Sequence, residues 1–443
     1  MGFLDRLFGG NKEPVVQPDI CFGRYSDSYK TTKQYDAWDR ALEKFENEDY
    51  LGAYEDFFTY LRDEQEDNVR FERKNGTIEF EIFQGSKKIT GMADERKIKV
   101  EASVAIAEVL NLGFMRRLIE QNFELKYSRF ALGPLNNIVI KFDSFTLDGS
   151  PYKLYYALKE VATNADKHDD LLVDEFVMLQ SVNTTHLKEL PLHEKEVKYN
   201  FIVKETRSIF KAMDDGRLGI GQYPGGLAYL LLHLSYKLDF LTKPEGVMME
   251  TLERVHRMYF ANDGQSTARK IAVLRKDLEK LIDRDKSEFF KEMYEVKSTF
   301  GITNPANHDR VIAFIDGELH NMDWYNENGY ERIALAVPGY IVGYCMFNYA
   351  VPAPDRAFFF LFYQITENQY FKDLGFKGDF YNAERKSLNS KSIKRAIRQV
   401  AEQNRAQYPR LNPDVGRLRF DTLANFAKSY MEMIRELDMT KVE

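Results

Sequence analysis

The glycine-rich stretch at residues 217–234, RLGIGQYPGGLAYLLLHL, has residue types that could bind a phosphate. A dinucleotide site needs a strand, then G-x-G-x-x-G, then a helix, so that backbone amides at the helix start meet the pyrophosphate. Four glycines precede the apolar run here, namely Gly219, Gly221, Gly225 and Gly226. However, a helical pattern precedes them, and Pro224 stands where the third glycine is required. We therefore expect Gly216 to end one helix and residues 224–226 to form the turn into the next, with no bound cofactor.

Histidine and carboxylate pairs at helical spacing could bind a metal ion, but none has a full set of ligands. Glu253 and His256 lie one helical turn apart. A di-metal site in a helical bundle needs that pair twice, with two further glutamates, and no second E-x-x-H occurs. His193 begins the sequence HEKEV, which lacks the second histidine of a zinc-protease helix. The sequence thus predicts no metal site.

An acidic cluster between positions 166 and 175 could also bind a cation. Its members are Asp166, His168, Asp169, Asp170, Asp174 and Glu175. The D-x-D-x-D-G order of a calcium loop is absent. We interpret the cluster as the solvated face of a helix.

Neither cysteine has the surroundings of a catalytic thiol. Cys21 and Cys345 are the two cysteines of the chain, too few for a disulfide framework and typical of a reducing compartment. Cys345 lies within an apolar run, where a thiol is usually inert. The seven histidines are scattered along the chain. The sequence therefore predicts no catalytic residue and a cytoplasmic location.

The first residues, MGFLDRLFGGNKEP, are not expected to be a signal peptide, because Asp5 and Arg6 interrupt the apolar core that one requires. Four apolar residues could instead form a short docking stripe for a membrane or a partner protein: Phe3, Leu4, Leu7 and Phe8. The alternative is a frayed terminus, since so short a helix is marginal by itself. We treat residues 1–16 as a flexible amphipathic segment.

A basic segment near the end of the chain differs from the rest in charge. The whole sequence has a net charge of −7, which argues against nonspecific nucleic-acid binding through its whole surface. Between Arg385 and Arg419 there are ten lysines and arginines but two acidic residues. Four of the cations are candidates for docking an acidic partner, membrane or nucleic acid: Lys391, Lys394, Arg395 and Arg398. The alternative is a basic face that pairs with acidic helices of the same chain.

The elements that position these residues differ between the two halves of the chain. With 443 residues, 44% of them hydrophobic, the chain is long enough for two or three domains. Residues 35–49 and 50–67 predict a helix pair, and one such pair is too few for a tetratricopeptide array. Five alternating runs then predict strands, with Asn75-Gly76 at a hairpin turn. The run Ile98–Ile106 places every second residue on one face. Ser150 and Pro151 predict the start of a closing helix.

Past Pro191 the apolar spacing is helical almost throughout. Residues 267–300 are predicted to form one long helix. For residues 331–351 the sequence permits either a helix or strands, because the segment contains Pro338 and several β-branched residues. The longest apolar windows reach about 15 residues and contain charges, so none is expected to span a membrane. The sequence predicts an α+β fold: an α-β-β-β-α-β-β-α domain within residues 17–190, then a large, mainly α-helical domain at 191–443.

Residues 50–182 resemble the type III secretion chaperones and the related YbjN-like domain of bacteria. The resemblance is carried by a helix that ends near Asn122, a strand at Arg129–Leu132, an apolar strand at Ile138–Phe142 and a closing helix at Tyr152–Leu158. It covers roughly a third of the chain. It implies binding of protein segments, no cofactor and no catalytic residues. It also implies a homodimer, unless the helical half covers the same surface within one chain.

These observations predict a non-enzymatic, chaperone-like adaptor of the bacterial cytoplasm that holds a segment of a partner protein. Two alternatives stay open. One is a scaffold subunit of an envelope or secretion assembly, tethered by its N-terminal stripe. The other is an enzyme whose active site is assembled in the helical half from residues that no linear motif reveals.

Overall fold

Alternating apolar residues between positions 69 and 145 build a twisted antiparallel sheet. The computed structural model describes residues 17–182, 186–215 and 223–441, apart from the side chain of Asp170. The strands are β1 (Val69–Lys74), β2 (Thr77–Gln84), β3 (Lys87–Ala93), β4 (Lys97–Ala107), β5 (Arg129–Leu132), β6 (Asn137–Phe145) and β7 (Leu179–Ser181). Their order is β1-β2-β3-β4-β6-β5, and β7 pairs with the end of β4.

Four helices accompany this sheet: α1 (Thr32–Glu46), α2 (Tyr50–Leu61), α3 (Leu112–Asn122) and α4 (Pro151–Glu175). The predicted helix pair, α1 and α2, is confirmed. The predicted start of α4 is confirmed too, because the Ser150 side chain accepts a hydrogen bond from the Lys153 amide. Helix α4 covers one face of the sheet with Leu154, Leu158 and Val161, all of which are buried. The α+β fold is therefore as the sequence predicts.

The predicted count of five strands is wrong, because β3 and β7 also belong to the sheet. In β3 the inward positions include Gly91, over which the Phe80 ring lies, so the strand shows little apolar alternation. Gln84 pairs with Lys87, so residues 85–86 form a two-residue hairpin turn. Strand β7 has three residues, too few to show a period.

Strand β4 also departs from the predicted alternation at its end. Its pairing with β6 shifts register between Ser103 and Ala105. A bulge of this kind inserts one residue and reverses the sides that follow. Val104 and Ala105 are consequently both buried, whereas Ile106 is 37% exposed. The prediction that Ile106 lies on the same face as Ile98 is wrong for this reason.

The second half is mainly helical, as predicted. Its helices are α5 (Leu192–Met213), α6 (Pro224–Thr242), α7 (Gly246–Phe260), α8 (Thr267–Ile282), α9 (Lys286–Lys291), α10 (His308–Glu318), α11 (Asn321–Glu327), α12 (Glu331–Asn348), α13 (Ala353–Thr366), α14 (Asn368–Asp373), α15 (Ser390–Asn404) and α16 (Leu423–Arg435). Two-residue strands pair between them, namely β8 (Lys188–Glu189) with β9 (Tyr294–Glu295), β10 (Asn304–Pro305) with β11 (Tyr349–Ala350), and β12 (Tyr381–Asn382) with β13 (Ser387–Leu388).

Two segments of this half resolve differently from their sequence patterns. The long helix predicted at 267–300 is wrong, because α8 ends at Ile282 and the chain turns before α9. The ambiguous segment is helix α12, with Pro338 inside it. Gly339 and Gly343 of α12 lie against His233 and Tyr236 of α6, and this close packing favours a helix despite the proline.

Two hydrophobic cores result, one beneath the sheet and one within the helices. Phe300 joins the sheet core although it follows α9, and the Gln84 side chain accepts hydrogen bonds from the Thr299 and Phe300 amides. From the other direction, Arg24 donates to both carboxylate oxygens of Asp239 on α6. The two halves are thus joined by buried polar contacts. Within the described residues, no helix is long and apolar enough to cross a membrane.

A buried lysine fixes the sheet against α4. The Lys87 side chain is fully buried, and its ammonium lies 2.8 Å from Asp169 Oδ2 of α4. It also donates to the carbonyls of Val104 in β4, at 3.1 Å, and Val182 after β7, at 3.2 Å. An ammonium has three donors, and all three are used.

We predict that Lys87→Met destabilises the protein by about 3–5 kcal/mol, because it leaves the Asp169 carboxylate buried without its cation. The neighbouring Lys88 pairs with Glu81 at the surface, so Lys88→Met is the matched control, with an expected loss below about 1 kcal/mol. Urea unfolding followed by circular dichroism measures both. Equal losses would contradict the assigned role of Lys87.

Candidate functional site

Exposed apolar side chains are concentrated around α3 and the β5 edge of the sheet. Nine of the 21 large apolar side chains that are exposed in the described chain lie between Ile106 and Leu135, so their distribution is not random. Helix α3 buries Phe114 and Leu118 on its inner side. Its outer side carries Leu112, Ile119 and Phe123, which are 84, 60 and 86% exposed. We define the α3 surface as the following exposed residues: Val109, Leu110, Leu112, Ile119, Phe123, Leu132 and Leu135.

Hydrogen bonds hold the parts of this surface together. The carboxylate of Glu160 on α4 accepts hydrogen bonds from the amides of Lys126, Tyr127 and Ser128, each at 2.8 Å, and thus fixes the loop between α3 and β5. Partial burial raises the pKa of Glu160, but these bonds together bring that pKa below its ordinary value. On the far side, the Asn136 side chain donates to the Ala107 carbonyl at the end of β4. The α3 surface therefore rests on a fixed framework.

The free edge of β5 is blocked at its centre. The Asn122 side chain accepts a hydrogen bond from the Phe130 amide at 2.7 Å and donates to the Phe130 carbonyl at 3.2 Å. These two backbone groups are the ones that an added strand would use. Strand addition at this edge is therefore disfavoured, and contacts with the α3 surface must come from side chains.

Leu135 is exposed in an unusual way. It has φ +55° and lies in a short turn at Pro134–Asn136. This left-handed conformation costs a residue with a branched side chain about 1–2 kcal/mol. Leu135 is nevertheless 90% exposed and gains little packing in return. Strain of this kind is often found where a side chain serves a binding function.

The open face of the sheet, opposite α4, is charged rather than apolar. Lys88 pairs with Glu81 at 3.0 Å across β2 and β3, and Lys141 pairs with Glu101 at 3.3 Å across β4 and β6. Arg129 pairs with Asp143 in the same way. Burial of this face by a second copy would have to desolvate these charges. The homodimer stays a prediction, and this face does not favour it.

A crevice of about 1090 Å³ lies between residues 17–34, the loop that follows α2 and the helical half. Cys21 lines it, and burial raises the pKa of this thiol, which disfavours the reactive thiolate. No histidine is among the described residues that line the crevice. The crevice thus has room for a ligand, and the described residues that line it place no histidine beside its thiol.

The structure describes only the second part of the glycine-rich stretch, from residue 223 onwards. Gly216, Gly219 and Gly221 lie outside the described residues. Pro224 is the first residue of α6, so Gly225 and Gly226 lie within the first turn of that helix. The prediction that they form the turn before the helix is wrong, because Pro224 is favourable at the first helical position. The absence of a bound nucleotide stays a prediction.

The metal and acidic candidates are engaged elsewhere. Glu253 accepts a hydrogen bond from Arg24 at 2.9 Å, whereas His256 lies 2.7 Å from the Tyr236 hydroxyl, and burial lowers its pKa to about 4. His193 lies 2.8 Å from the Asp373 carbonyl. Among the described residues no group of three or more potential ligands could hold a metal ion.

The acidic cluster on α4 is not a solvated face throughout. Asp174 and Glu175 are exposed, but Asp166, His168 and Asp169 are buried. The prediction is wrong for these three because α4 is covered by the sheet and the helical half on this side. Asp166 accepts a hydrogen bond from the Ser86 amide at 2.8 Å. The buried carboxylates thus hold the turn between β2 and β3.

The predicted docking residues fall into two groups. Phe3, Leu4, Leu7 and Phe8 lie outside the described residues. Lys391, Arg395 and Arg398 are exposed on α15, and Lys394 is half-buried with its ammonium 5.4 Å from the centre of the Phe420 ring. None of these four cations forms an ion pair with a described residue. The alternative, that the basic segment pairs with acidic helices of the same chain, therefore does not hold for these four cations, whereas Arg417 of the same segment does pair with Glu436.

Sequence reasoning missed a buried histidine–aspartate pair in the helical half. His308 Nδ1 lies 2.9 Å from Asp355 Oδ1, although 47 residues separate them. His308 Nε2 is buried without a hydrogen-bond partner in the described chain. Burial raises the pKa of Asp355, and the same cause raises that of the buried Cys345 thiol. No linear motif reveals a pair that is so far apart in the sequence. Conservation of both residues among related proteins would be the one sequence signal for it.

Comparison of the sequence with known proteins adds no relative. No protein-family model matches the chain, and no curated protein is significantly similar to it.

We predict that Gly225→Ala stabilises the protein by about 0.4–1 kcal/mol, because its Cβ meets open space and the substitution restricts the unfolded chain. Gly226 is the matched control: its Cβ would lie 3.1 Å from Ile333 and Tyr325, so Gly226→Ala is expected to be less stable than Gly225→Ala. Thermal unfolding ranks the two variants. The reverse order would contradict the helical placement of this pair.

We predict that Asp166→Asn stabilises the protein above neutral pH. Burial, then Glu245 and Asp169, raise the pKa of Asp166 well above its usual value, although Lys87 and the Ser86 amide lower it. Because the folded-state pKa exceeds the unfolded value of about 4, the stabilising proton is lost as the pH rises from about 4 through the folded-state pKa.

The difference in unfolding free energy between Asp166→Asn and wild type should therefore grow from pH 4 to pH 8. The exposed Asp174→Asn on the same helix is the control and should show no such growth. A constant difference for Asp166→Asn would contradict the raised pKa.

Proposed function

We propose that this chain is a non-enzymatic, chaperone-like adaptor of the bacterial cytoplasm that binds a segment of a partner protein on the α3 surface. The observation that carries the proposal is the concentration of exposed apolar side chains on α3, on the end of β5 and in the adjacent turns. Isolated exposed apolar residues are common in folded proteins, but contiguous groups mark interaction sites.

The geometry favours an amphipathic helix as the bound segment. Leu112, Ile119 and Phe123 are spaced by seven and four residues, so they form one stripe along α3. Such a stripe packs against the apolar stripe of a second helix. An extended segment would require free backbone groups on β5, and Asn122 already occupies those of Phe130.

The resemblance to secretion chaperones supports the same function. Two of the features that carry it, Asn122 and the strand Arg129–Leu132, border the α3 surface directly. The family implies recognition of protein segments without a cofactor. The number of cysteines is typical of a reducing compartment, which agrees with the cytoplasm.

An enzymatic function has less support from the same structure. The large crevice contains no histidine among its described lining residues, and the thiol that lines it has a raised pKa. His308 and Asp355 are close enough to act together, but both are buried, at 8 and 0% exposure. A catalytic pair must reach its substrate.

We predict that serine substitutions at Leu112, Ile119 and Phe123 weaken partner binding at least about tenfold without unfolding the protein. The three side chains are exposed, so the expected change in unfolding free energy is within about 0.5 kcal/mol for each. The measurement is quantitative affinity capture from a lysate of the source organism, followed by titration with a synthetic peptide of the captured segment.

A control variant carries serine at Phe145, Leu147 and Tyr152, which are 60, 69 and 56% exposed outside the α3 surface. The proposal expects the control to bind the peptide as wild type does and the α3 variant to bind at least about tenfold more weakly. Equal binding by all three proteins would refute it.

A further inference from the structure

The basic face of helix α15 is a second surface without a partner in the described chain. Lys391, Arg395 and Arg398 are exposed at i, i+4 and i+7, so they lie on one side of the helix. Arg385 and Lys386, in the turn between β12 and β13 just before α15, are exposed as well. We define these five residues together with Lys394 as the α15 face.

The α15 face brings together cations that have no ion pair. Several other cations in the last part of the chain do pair, namely Lys372 with Asp379, Arg417 with Glu436, Lys428 with Asp323 and Arg435 with Asp316, whereas the exposed Lys377, Arg410 and Arg419 have no ion pair with a described residue. None of the six cations of the α15 face has an ion pair with a described residue. Lys391 also lies in the first turn of the helix, where the helix dipole disfavours positive charge. Apart from the contact of Lys394 with the Phe420 ring, the described chain therefore gives these charges no partner of opposite sign.

The inner side of α15 shows what kind of partner fits. Ile393, Ile397 and Val400 are buried in the helical core, so this side of the helix is not free to enter a membrane. Beyond Trp324 no large apolar side chain is exposed in the described chain. The face thus lacks exposed large apolar side chains that insert into a bilayer and exposed aromatic side chains that stack on bases. What it offers is charge and, at its arginines, forked donors that match carboxylates.

We propose that the α15 face binds an acidic segment of a partner protein, rich in aspartate and glutamate. From Lys391 to Arg398 the helix rises about 10.5 Å, which an extended segment of three or four residues spans. The charge of the rest of the chain is negative, since the total is −7 despite this face. Acidic segments are therefore attracted to this face and repelled elsewhere.

The experiment titrates the full chain with a fluorescein-labelled peptide in which glutamate alternates with alanine, at low salt, followed by fluorescence anisotropy. One variant replaces Lys391, Lys394, Arg395 and Arg398 with glutamine. The matched control replaces four ion-paired cations with glutamine and has the same net charge; it changes Lys372, Arg417, Lys428 and Arg435. Circular dichroism and the melting temperature check that both variants are folded.

We expect the α15 variant to bind the peptide at least about tenfold more weakly than the control variant, with a smaller salt dependence. Equal weakening in both variants would mean attraction by net charge alone and would overturn the proposal. Phosphatidylserine vesicles and single-stranded DNA are tested in parallel. If either binds through α15 and the peptide does not, the assignment to an acidic protein segment is wrong.

The α3 variant with serine at Leu112, Ile119 and Phe123 should bind the acidic peptide as wild type does, because the two surfaces share no residue. Loss of peptide binding in that variant would contradict an independent α15 site. The outcome for α15 is thereby separated from the outcome for the proposed function.

Discussion

The burial of one ammonium group, that of Lys87, determines how the N-terminal half is assembled. Its three acceptors come from β4, from the chain after β7 and from α4. A buried cation that lacks these acceptors is strongly unfavourable. The positions of β7 and α4 relative to β3 are therefore fixed by the need to surround this ammonium with acceptors. In that arrangement α4 covers one face of the sheet, and its Glu160 reaches the loop between α3 and β5. The position of α3 follows from this constraint.

The two faces of the sheet consequently differ in polarity and in exposure to solvent. The face under α4 is apolar and closed, whereas the open face carries cross-strand ion pairs and is adapted to water. Helix α3 lies beside β5, and its Gln121 is 3.0 Å from His168 of α4, while its outer stripe stays exposed. The helical half contributes a surface of another kind on α15. One chain thus presents an apolar surface beside the sheet core and a basic surface on the helical core.

Elements with strong local signals could be predicted from the sequence, and features that depend on distant contacts could not. The start of α4 at Ser150 and Pro151 and the hairpin at Asn75-Gly76 are encoded locally. Strand β3 could not be predicted because one of its inward positions is Gly91, which leaves space for the Phe80 ring of β2 and interrupts the apolar alternation. The bulge that exposes Ile106 arises from pairing with β6, and the burial of Asp166 arises from the partner elements of α4. The α3 surface itself was not predicted, since helical periodicity alone does not tell which of two apolar sides is covered.

The central claim is that a partner segment contacts the outer side of α3. Site-specific photo-crosslinking in living cells tests it most directly, with benzoylphenylalanine in place of Phe123 in one variant and of Phe145 in the other. Both positions are exposed aromatic residues, at 86 and 60%, but Phe145 lies outside the α3 surface. The account predicts a discrete crosslinked product from the variant at position 123 and none from the variant at position 145. It also predicts that the partner's crosslinked peptide has an amphipathic sequence. No product at 123, or the same products at both positions, would contradict it.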